Sequence, residues 1–213
     1  MPTEKAYKIR TKQKNLFLRV SKGHFATSHS HINYFIDVTT QKTRLSEAAA
    51  VAKELVSYYK LNTIVDTILC LDGTEVIGTC LAEELTRADF ANLNAHQTIY
   101  IVTPEHTSGS QLFFRDNLIP MITNKNVLIL AASVTTGYTA AAAVEAVNYY
   151  QGRVVGISAL FATTEECAGQ KVYSVFDPKD LEDYASYPSH ACPWCKNGEK
   201  IDALVNSFGY SKL

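Results

Sequence analysis

At 213 residues and 46% hydrophobic, the chain is long enough to bury a substantial core, as one domain or one domain with a small appendage. A formal net charge of −1 and a pI near 6.6 leave no basic excess, which argues against a nucleic-acid partner. The five cysteines are scattered but for one pair, which speaks against a secreted disulfide framework.

The N-terminal stretch Met1–Lys14 is polar and Lys-rich, unlike a signal peptide, and no run approaches the ~18 apolar residues of a membrane span. The expectation is a soluble cytoplasmic protein with no membrane partner. Leu16–Val20 reads as a strand and Gly23–His31 as a polar loop. The histidines of that loop, His24, His29 and His31, have no nearby carboxylate and are expected to be solvated. Ile32–Val38 reads as a second strand, and Leu45–Tyr59 as an amphipathic helix with Ser46 and Glu47 early in it.

From residue 64 the pattern alternates strand, turn and helix. Ile64–Leu71 is a buried strand, Asp72-Gly73-Thr74 a tight turn and Glu75–Leu85 a helix. Thr98–Val102 is the next strand, followed by a long irregular segment, Thr103–Asn117, and a short helix near Leu118–Ile122. Val127–Leu130 fits a buried strand, Ala140–Tyr150 an Ala-rich helix, and Val154–Phe161 and Val172–Phe176 two further strands. Ile201–Phe208 reads as a short amphipathic helix. This βαβ rhythm predicts an α/β fold, with a central, mostly parallel sheet flanked by helices and ligands at the carboxyl ends of its strands.

Between the strand at Val127 and the helix at Ala140 lies Ser133-Val134-Thr135-Thr136-Gly137-Tyr138-Thr139. A hydroxyl-rich turn leading into a helix N-terminus directs backbone N–H groups and the positive end of the helix dipole at one spot, a cradle for phosphate. Ser and Thr also cap helices, and local physics leaves both readings open. In Asp72-Gly73-Thr74, Gly73 permits close approach of backbone N–H groups to an oxyanion, although Asp-Gly is also an ordinary turn. A long loop such as Thr103–Asn117 inside a compact domain is usually functional or disordered. Tyr34 and Phe35 offer aromatic faces to a planar heterocycle, and alternating strand aromatics are more often core.

The segment Val127-Leu128-Ile129-Leu130-Ala131-Ala132-Ser133-Val134-Thr135-Thr136-Gly137 resembles the phosphoribosyl-diphosphate (PRPP) signature of type I phosphoribosyltransferases. Tyr34-Phe35-Ile36-Asp37 and the stretch from Gln170 through Leu181 are similar to segments of the orotate branch. The resemblance covers about Leu16 to Leu181 and implies the type I phosphoribosyltransferase fold with an N-terminal hood. It implies transfer of phosphoribosyl from PRPP to a pyrimidine-type base such as orotate, with a homodimeric assembly. By the same resemblance Ser133, Thr135, Thr136, Gly137, Tyr138 and Thr139 would bind the 5′-phosphate. Asp72, Gly73 and Thr74 would form the pyrophosphate loop, and Tyr34 and Phe35 the base pocket.

Two departures bear on the chemistry. Where the family has two acids that hold the ribose hydroxyls of magnesium-bound PRPP, this chain has Ala131 and Ala132, which offer no acceptor. Magnesium would then be carried by the ligand and water. Where the orotate enzymes have a loop rich in Arg and Lys, this chain offers only His106, and Arg115 further on, as sources of positive charge. No catalytic residue is assigned, with His106 a weak candidate. The expectation is therefore an orotate-phosphoribosyltransferase-like enzyme by resemblance, although the missing acids and loop cations argue against the usual mechanism. The alternative is a non-catalytic sensor that binds a nucleotide monophosphate on the same fold.

Near the C-terminus, Cys192-Pro193-Trp194-Cys195-Lys196-Asn197-Gly198 has the shape of a zinc knuckle. A structural zinc on Cys192 and Cys195 is expected, with His190, Cys167 or a partner subunit completing the ligands. A redox-active disulfide and a pair of unligated thiols are the rival readings. The expected organisation is a phosphoribosyltransferase-like domain over residues 1–186, its hood spanning about 1–44, and a Cys-containing extension over 187–213.

Overall fold

The computed structural model describes residues 7–10, 16–88, 90, 92–95, 97–107 and 111–213. Most of the N-terminal arm and Ser108-Gly109-Ser110 of the long loop lie outside these residues. The chain forms two compact units, one of residues 41–175 and one that joins residues 1–40 to 176–213. In chain order the elements are β1 (Tyr7–Arg10), β2 (Phe17–Ala26), β3 (Ser30–Asp37), α1 (Thr39–Thr43), α2 (Leu45–Leu55), β4 (Thr67–Cys70), α3 (Glu75–Thr86) and β5 (Tyr100–Val102). There follow β6 (Glu105–His106), β7 (Leu112–Phe113), β8 (Asn126–Val134), α4 (Tyr138–Tyr149), β9 (Arg153–Ala162), β10 (Glu166–Cys167) and β11 (Gln170–Phe176). The chain ends with β12 (Ser186–Pro188), α5 (Pro193–Lys196), β13 (Ala203–Asn206) and β14 (Gly209–Lys212). No helix among the described residues is long and apolar enough to cross a membrane.

The contiguous unit is an α/β layer structure around a sheet of order β10-β11-β9-β8-β4-β5, in which β5, β4, β8 and β9 run parallel. All four residues of β4 are buried, and so is almost all of β8, as expected of strands covered on both faces. The helices bury residues at helical spacing: Ala48, Val51, Ala52 and Leu55 of α2, Ile77, Leu81 and Leu85 of α3, and Ala140, Ala143, Val144 and Val147 of α4.

Several boundaries differ from the sequence expectation. The strand expected from Ile64 begins at Thr67, because the Asn94 side chain takes the Val65 N–H (2.9 Å) and donates to the Thr63 carbonyl (2.8 Å). Leu45–Tyr59 is helical only through Leu55 and closes in a 3-10 turn, Val56–Tyr58. The segment Thr103–Asn117 is not wholly irregular: β6 and β7 pair antiparallel, Glu105 opposite Phe113 and His106 opposite Leu112. Leu118–Ile122 holds a 3-10 turn, Ile119–Met121, with Pro120 early in it. The strand read at Val127–Leu130 continues to Val134, because Ala131, Ser133 and Val134 keep their partners Ala159, Phe161 and Ala162 on β9.

The discontinuous unit is a second sheet of order β12-β3-β2-β13-β14, with β1 also paired to β2. Phe25, Ile32, Phe35, Ala203 and Val205 form its core. The expected polar loop over Gly23–His31 is mostly strand. Phe25 and Ile32 pair across the hairpin and enter the core, and the Thr27 N–H closes the turn on the Ser30 carbonyl at 2.8 Å. The helix expected over Ile201–Phe208 is a β-hairpin instead. Ala203 and Val205 face inward and Leu204 and Asn206 outward, which is the period of a strand. Asn206 Oδ1 accepts from the N–H groups of Phe208 (2.9 Å) and Gly209 (3.1 Å) and so fixes the turn.

Ile129 is fully buried at the centre of β8, so Ile129→Ala is expected to lower stability by about 2–5 kcal/mol, read from urea denaturation of the two chains.

Candidate functional site

In the contiguous unit the turns after β4, β5 and β8 lie at the carboxyl ends of neighbouring parallel strands, where ligands bind in open α/β sheets. The first is anchored on β8. The Leu130 carbonyl accepts from the Leu71 N–H (2.8 Å) and from Thr74 Oγ1 (3.0 Å), and Thr74 Oγ1 also lies 2.8 Å from the Leu71 carbonyl. Between these anchors Asp72 and Gly73 are both left-handed, at φ 58 and 77. That conformation is easy for Gly73 and costly for Asp72, and strained residues of this kind gather at ligand sites.

Lys42, a residue the sequence reading did not single out, is buried against this turn and donates to the Asp72 carbonyl at 2.7 Å. Its position before α2 carries no spacing signal, and a buried ammonium is recognisable only once the turn it meets is in place. Beneath the turn, burial pushes the Cys70 thiol up to about 12, so it stays protonated and unreactive near neutral pH. From the β5 side, Thr103 Oγ1 reaches Glu75 Oε1 at the start of α3 (3.1 Å).

The second turn, Ser133 to Thr139, ends β8 and opens α4. Gly137 is the N-cap residue at φ 78, and no side chain caps the helix. Its carbonyl starts the helix by accepting from the Ala141 N–H at 2.8 Å. A Cβ at Gly137 would meet Cys167 Sγ at 3.0 Å, so glycine is required here by both conformation and space. Ser133, Thr136, Tyr138 and Thr139 are exposed and Thr135 and Gly137 half-buried, which leaves the hydroxyls of Ser133, Thr136 and Thr139 at the surface beside the helix N-terminus. Thr163 fastens the turn from behind, its N–H on the Val134 carbonyl (3.0 Å) and its hydroxyl on the Thr135 carbonyl (2.9 Å).

Ala131 and Ala132 stand inside β8, each 1% exposed. They supply no oxygen for a divalent cation. Among the described residues no group of three or more carboxylates, histidines or cysteines gathers at this edge of the sheet. At residues 131 and 132, then, no carboxylate is on offer to a magnesium ion. His106 is exposed on β6. Arg115 is engaged in a two-pronged pair with Glu105, at 2.7 and 2.6 Å, which also holds the Glu105 carboxyl below its ordinary value. The one arginine of that segment thus carries a partner of opposite charge.

In the discontinuous unit, Tyr34 is buried with its hydroxyl donating to the Glu182 carbonyl (2.8 Å). Phe35 packs against Phe25 and edge-on against Tyr210. The Cys192–Cys195 pair does not gather with Cys167 or His190. Cys167 sits on β10 with its thiol 3.5 Å from the Gly137 carbonyl, and His190 is exposed in the 3-10 turn Ser189–Ala191. The side chains that join the pair are His24 and His31, at 5% and 7% exposure, where solvated histidines were expected. The four ligand-type atoms all lie within 4.8 Å of one another.

The reason is in the hairpin. A bulge between Lys22 and Phe25 shifts the register of β2, and the His24 N–H leaves the ladder for Asp202 Oδ2 (2.8 Å). A Cβ at Gly23 would come within 2.7 Å of that carboxylate, so glycine makes the approach possible. His31 faces Ala26 across the hairpin, and β12 pairs Tyr187 with His31, which delivers the cysteine turn to the two rings.

No protein-family model matches the sequence, and no match is found among curated proteins. Solved structures do match. An adenine phosphoribosyl transferase from Trypanosoma brucei, solved with AMP, pyrophosphate and ribose-5-phosphate, superposes with a TM-score of 0.54 at 15% identity, over 78% of each chain. The orotate phosphoribosyltransferase of Mycobacterium tuberculosis H37Rv, solved with Fe(III) dicitrate, gives 0.52 at 18% identity, over 76% of this chain and 91% of that one. An adenine phosphoribosyltransferase from Thermoanaerobacter pseudethanolicus gives 0.50 at 17%, over 68% and 88%. The chain has the fold of the type I phosphoribosyltransferases.

An acid at either alanine would place a carboxylate in the buried interior of β8. Ala131→Asp and Ala132→Asp are each expected to cost about 3–5 kcal/mol, the range for an uncompensated buried charge, read as a lowered denaturation midpoint.

Proposed function

We propose that this chain, built on the type I phosphoribosyltransferase fold, binds a nucleoside 5′-monophosphate or a related ribose phosphate and does not transfer phosphoribosyl by the magnesium-dependent route. The observation that carries the reading is the start of α4. Its N-terminus has no side-chain cap, opens on Gly137 at φ 78, and is flanked by exposed hydroxyls, directly after two buried alanines. Backbone N–H groups and the helix dipole favour a dianion there, with Ser133, Thr135, Thr136 and Thr139 as further donors. With alanine at residues 131 and 132 nothing in the turn grips the ribose hydroxyls, so the phosphate carries most of the recognition.

A second reading, transfer from PRPP to a pyrimidine-type base, is favoured by the strained turn Asp72-Gly73-Thr74 and by the Lys42 ammonium held against it. Those groups suit a pyrophosphate, with magnesium arriving on the ligand. The base contacts of Tyr34 and Phe35 and a homodimeric assembly belong to this second reading.

Calorimetric titration separates the two. Orotidine monophosphate is expected to bind, the nucleoside without phosphate to fail, and PRPP with magnesium to give no orotate consumption. Turnover with PRPP would overturn the binder reading in favour of the enzyme, and no binding by any of the three would overturn both. Thr136→Val is expected to weaken monophosphate binding about tenfold or more, the effect of one hydrogen bond to a charged group. Gly137→Val is expected to abolish it, through the clash with Cys167 and the left-handed backbone.

A further inference from the structure

We propose that His24, His31, Cys192 and Cys195 hold a zinc ion in a closed tetrahedral site. The site lies wholly within the discontinuous unit and is independent of the phosphate turn. His24 Nε2 and His31 Nδ1 stand 3.0 Å apart, Cys192 Sγ is 3.5 Å from His24 Nε2, and Cys195 Sγ is 3.7 Å from His24 Nε2 and 3.3 Å from His31 Nδ1. A tetrahedral zinc with bonds of about 2.0–2.1 Å to nitrogen and about 2.3 Å to sulfur separates its ligand atoms by about 3.3 Å from N to N and about 3.5 Å from N to S. Four of the six separations therefore lie close to the edges of that tetrahedron, and the other two, from Cys192 Sγ to Cys195 Sγ and to His31 Nδ1, are within 4.8 Å.

The chemistry of the set agrees with the distances. Two thiolates and two neutral imidazoles balance the charge of a divalent cation, which suits a site where His24, His31 and Cys192 are all buried. An S₂N₂ tetrahedron selects zinc over cations that prefer oxygen. Of the His24 ring nitrogens, Nε2 makes all its contacts with cluster atoms, while the buried Nδ1 has no partner among the described residues.

The cysteine turn is shaped as a knuckle: the Lys196 N–H meets the Cys192 carbonyl (3.2 Å), the Gly198 N–H meets the Cys195 carbonyl (3.0 Å), and Gly198 is left-handed at φ 78. Trp194 lies against His24 and edge-on to Tyr187, giving the cluster an aromatic flank. Four protein ligands leave no position for substrate, so the ion is structural and clamps the cysteine turn onto the β2–β3 hairpin.

The test is metal analysis of the full chain purified under reducing conditions without chelator, followed by exchange to cobalt(II). One zinc per chain is expected. The cobalt form is expected to show the intense ligand-field bands of a tetrahedral centre and thiolate-to-cobalt charge transfer. Cys195→Ser is expected to remove roughly half of the charge-transfer intensity, and His31→Gln to shift the ligand-field bands while leaving the thiolate transitions. The cobalt spectrum of the unaltered chain decides the matter if either variant fails to fold. Absence of bound metal together with an octahedral cobalt spectrum would overturn the proposal. So would a Cys192–Cys195 disulfide that persists in the reduced preparation, or iron in place of zinc. Spectra unchanged in both variants would overturn the ligand assignment.

Discussion

The Leu130 carbonyl holds the candidate site together. As a backbone acceptor with two lone pairs it takes the Leu71 N–H, which extends the β4–β8 ladder, and the Thr74 hydroxyl, which fixes the far side of the turn. Beyond it along β8 come the two alanines, held by the pairing with β9, then the hydroxyls of the next turn and the start of α4. Because the acceptor is main chain, its position depends on strand register and not on any one side chain. Register in turn is set by a largely buried strand matched residue for residue to β4 over Val127–Leu130, and to β9 with one register shift between Val127 and Leu128.

The same burial explains which groups this edge of the sheet can and cannot carry. Extending β8 to Val134 carries Ala131 and Ala132 into the dry interior, where a carboxylate would need a cation or donors that do not converge there. The anion-favouring parts, by contrast, are backbone dipoles, a left-handed glycine and small hydroxyls. These depend on chain conformation, so they persist when the acidic side chains are absent.

How much could be read beforehand follows from how local each feature is. The helices and buried strands of residues 41–175 declare themselves through spacing within a single element, and Gly73 through conformational demand at one position, whereas Gly137 is singled out by the resemblance. Lys42 gave no such signal, because its significance lies in a carbonyl thirty residues away. The histidines were misread for a related reason. A run of Gly, Ser, Thr and His looks like a solvated loop unless the bulge at Gly23-His24 and the core role of Phe25 and Ile32 are known. Cys192 and Cys195 were visible as a pair, but their companions come from the other end of the chain, and a search for ligands by nearness in sequence turns to Cys167 and His190. The terminal hairpin reads as a helix in the sequence because an apolar run this short fits either period until Asn206 and Gly209 make the turn.

The discontinuity of one unit has a consequence for how the protein comes into being. Residues 41–175 are contiguous and contain every strand from β4 to β10, so they can collapse as soon as they have been made. The β2–β3 hairpin is made before them but lacks its neighbours β12, β13 and β14 until the segment after residue 175 has been added, and pairings of such sequence separation are slow to close. During synthesis the hairpin thus precedes residues 41–175 and completes its sheet only after them. For that interval the apolar faces of Phe25, Ile32 and Phe35 wait for Ala203 and Val205. Chaperone engagement and premature association should therefore concentrate on the N-terminal hairpin of the nascent chain.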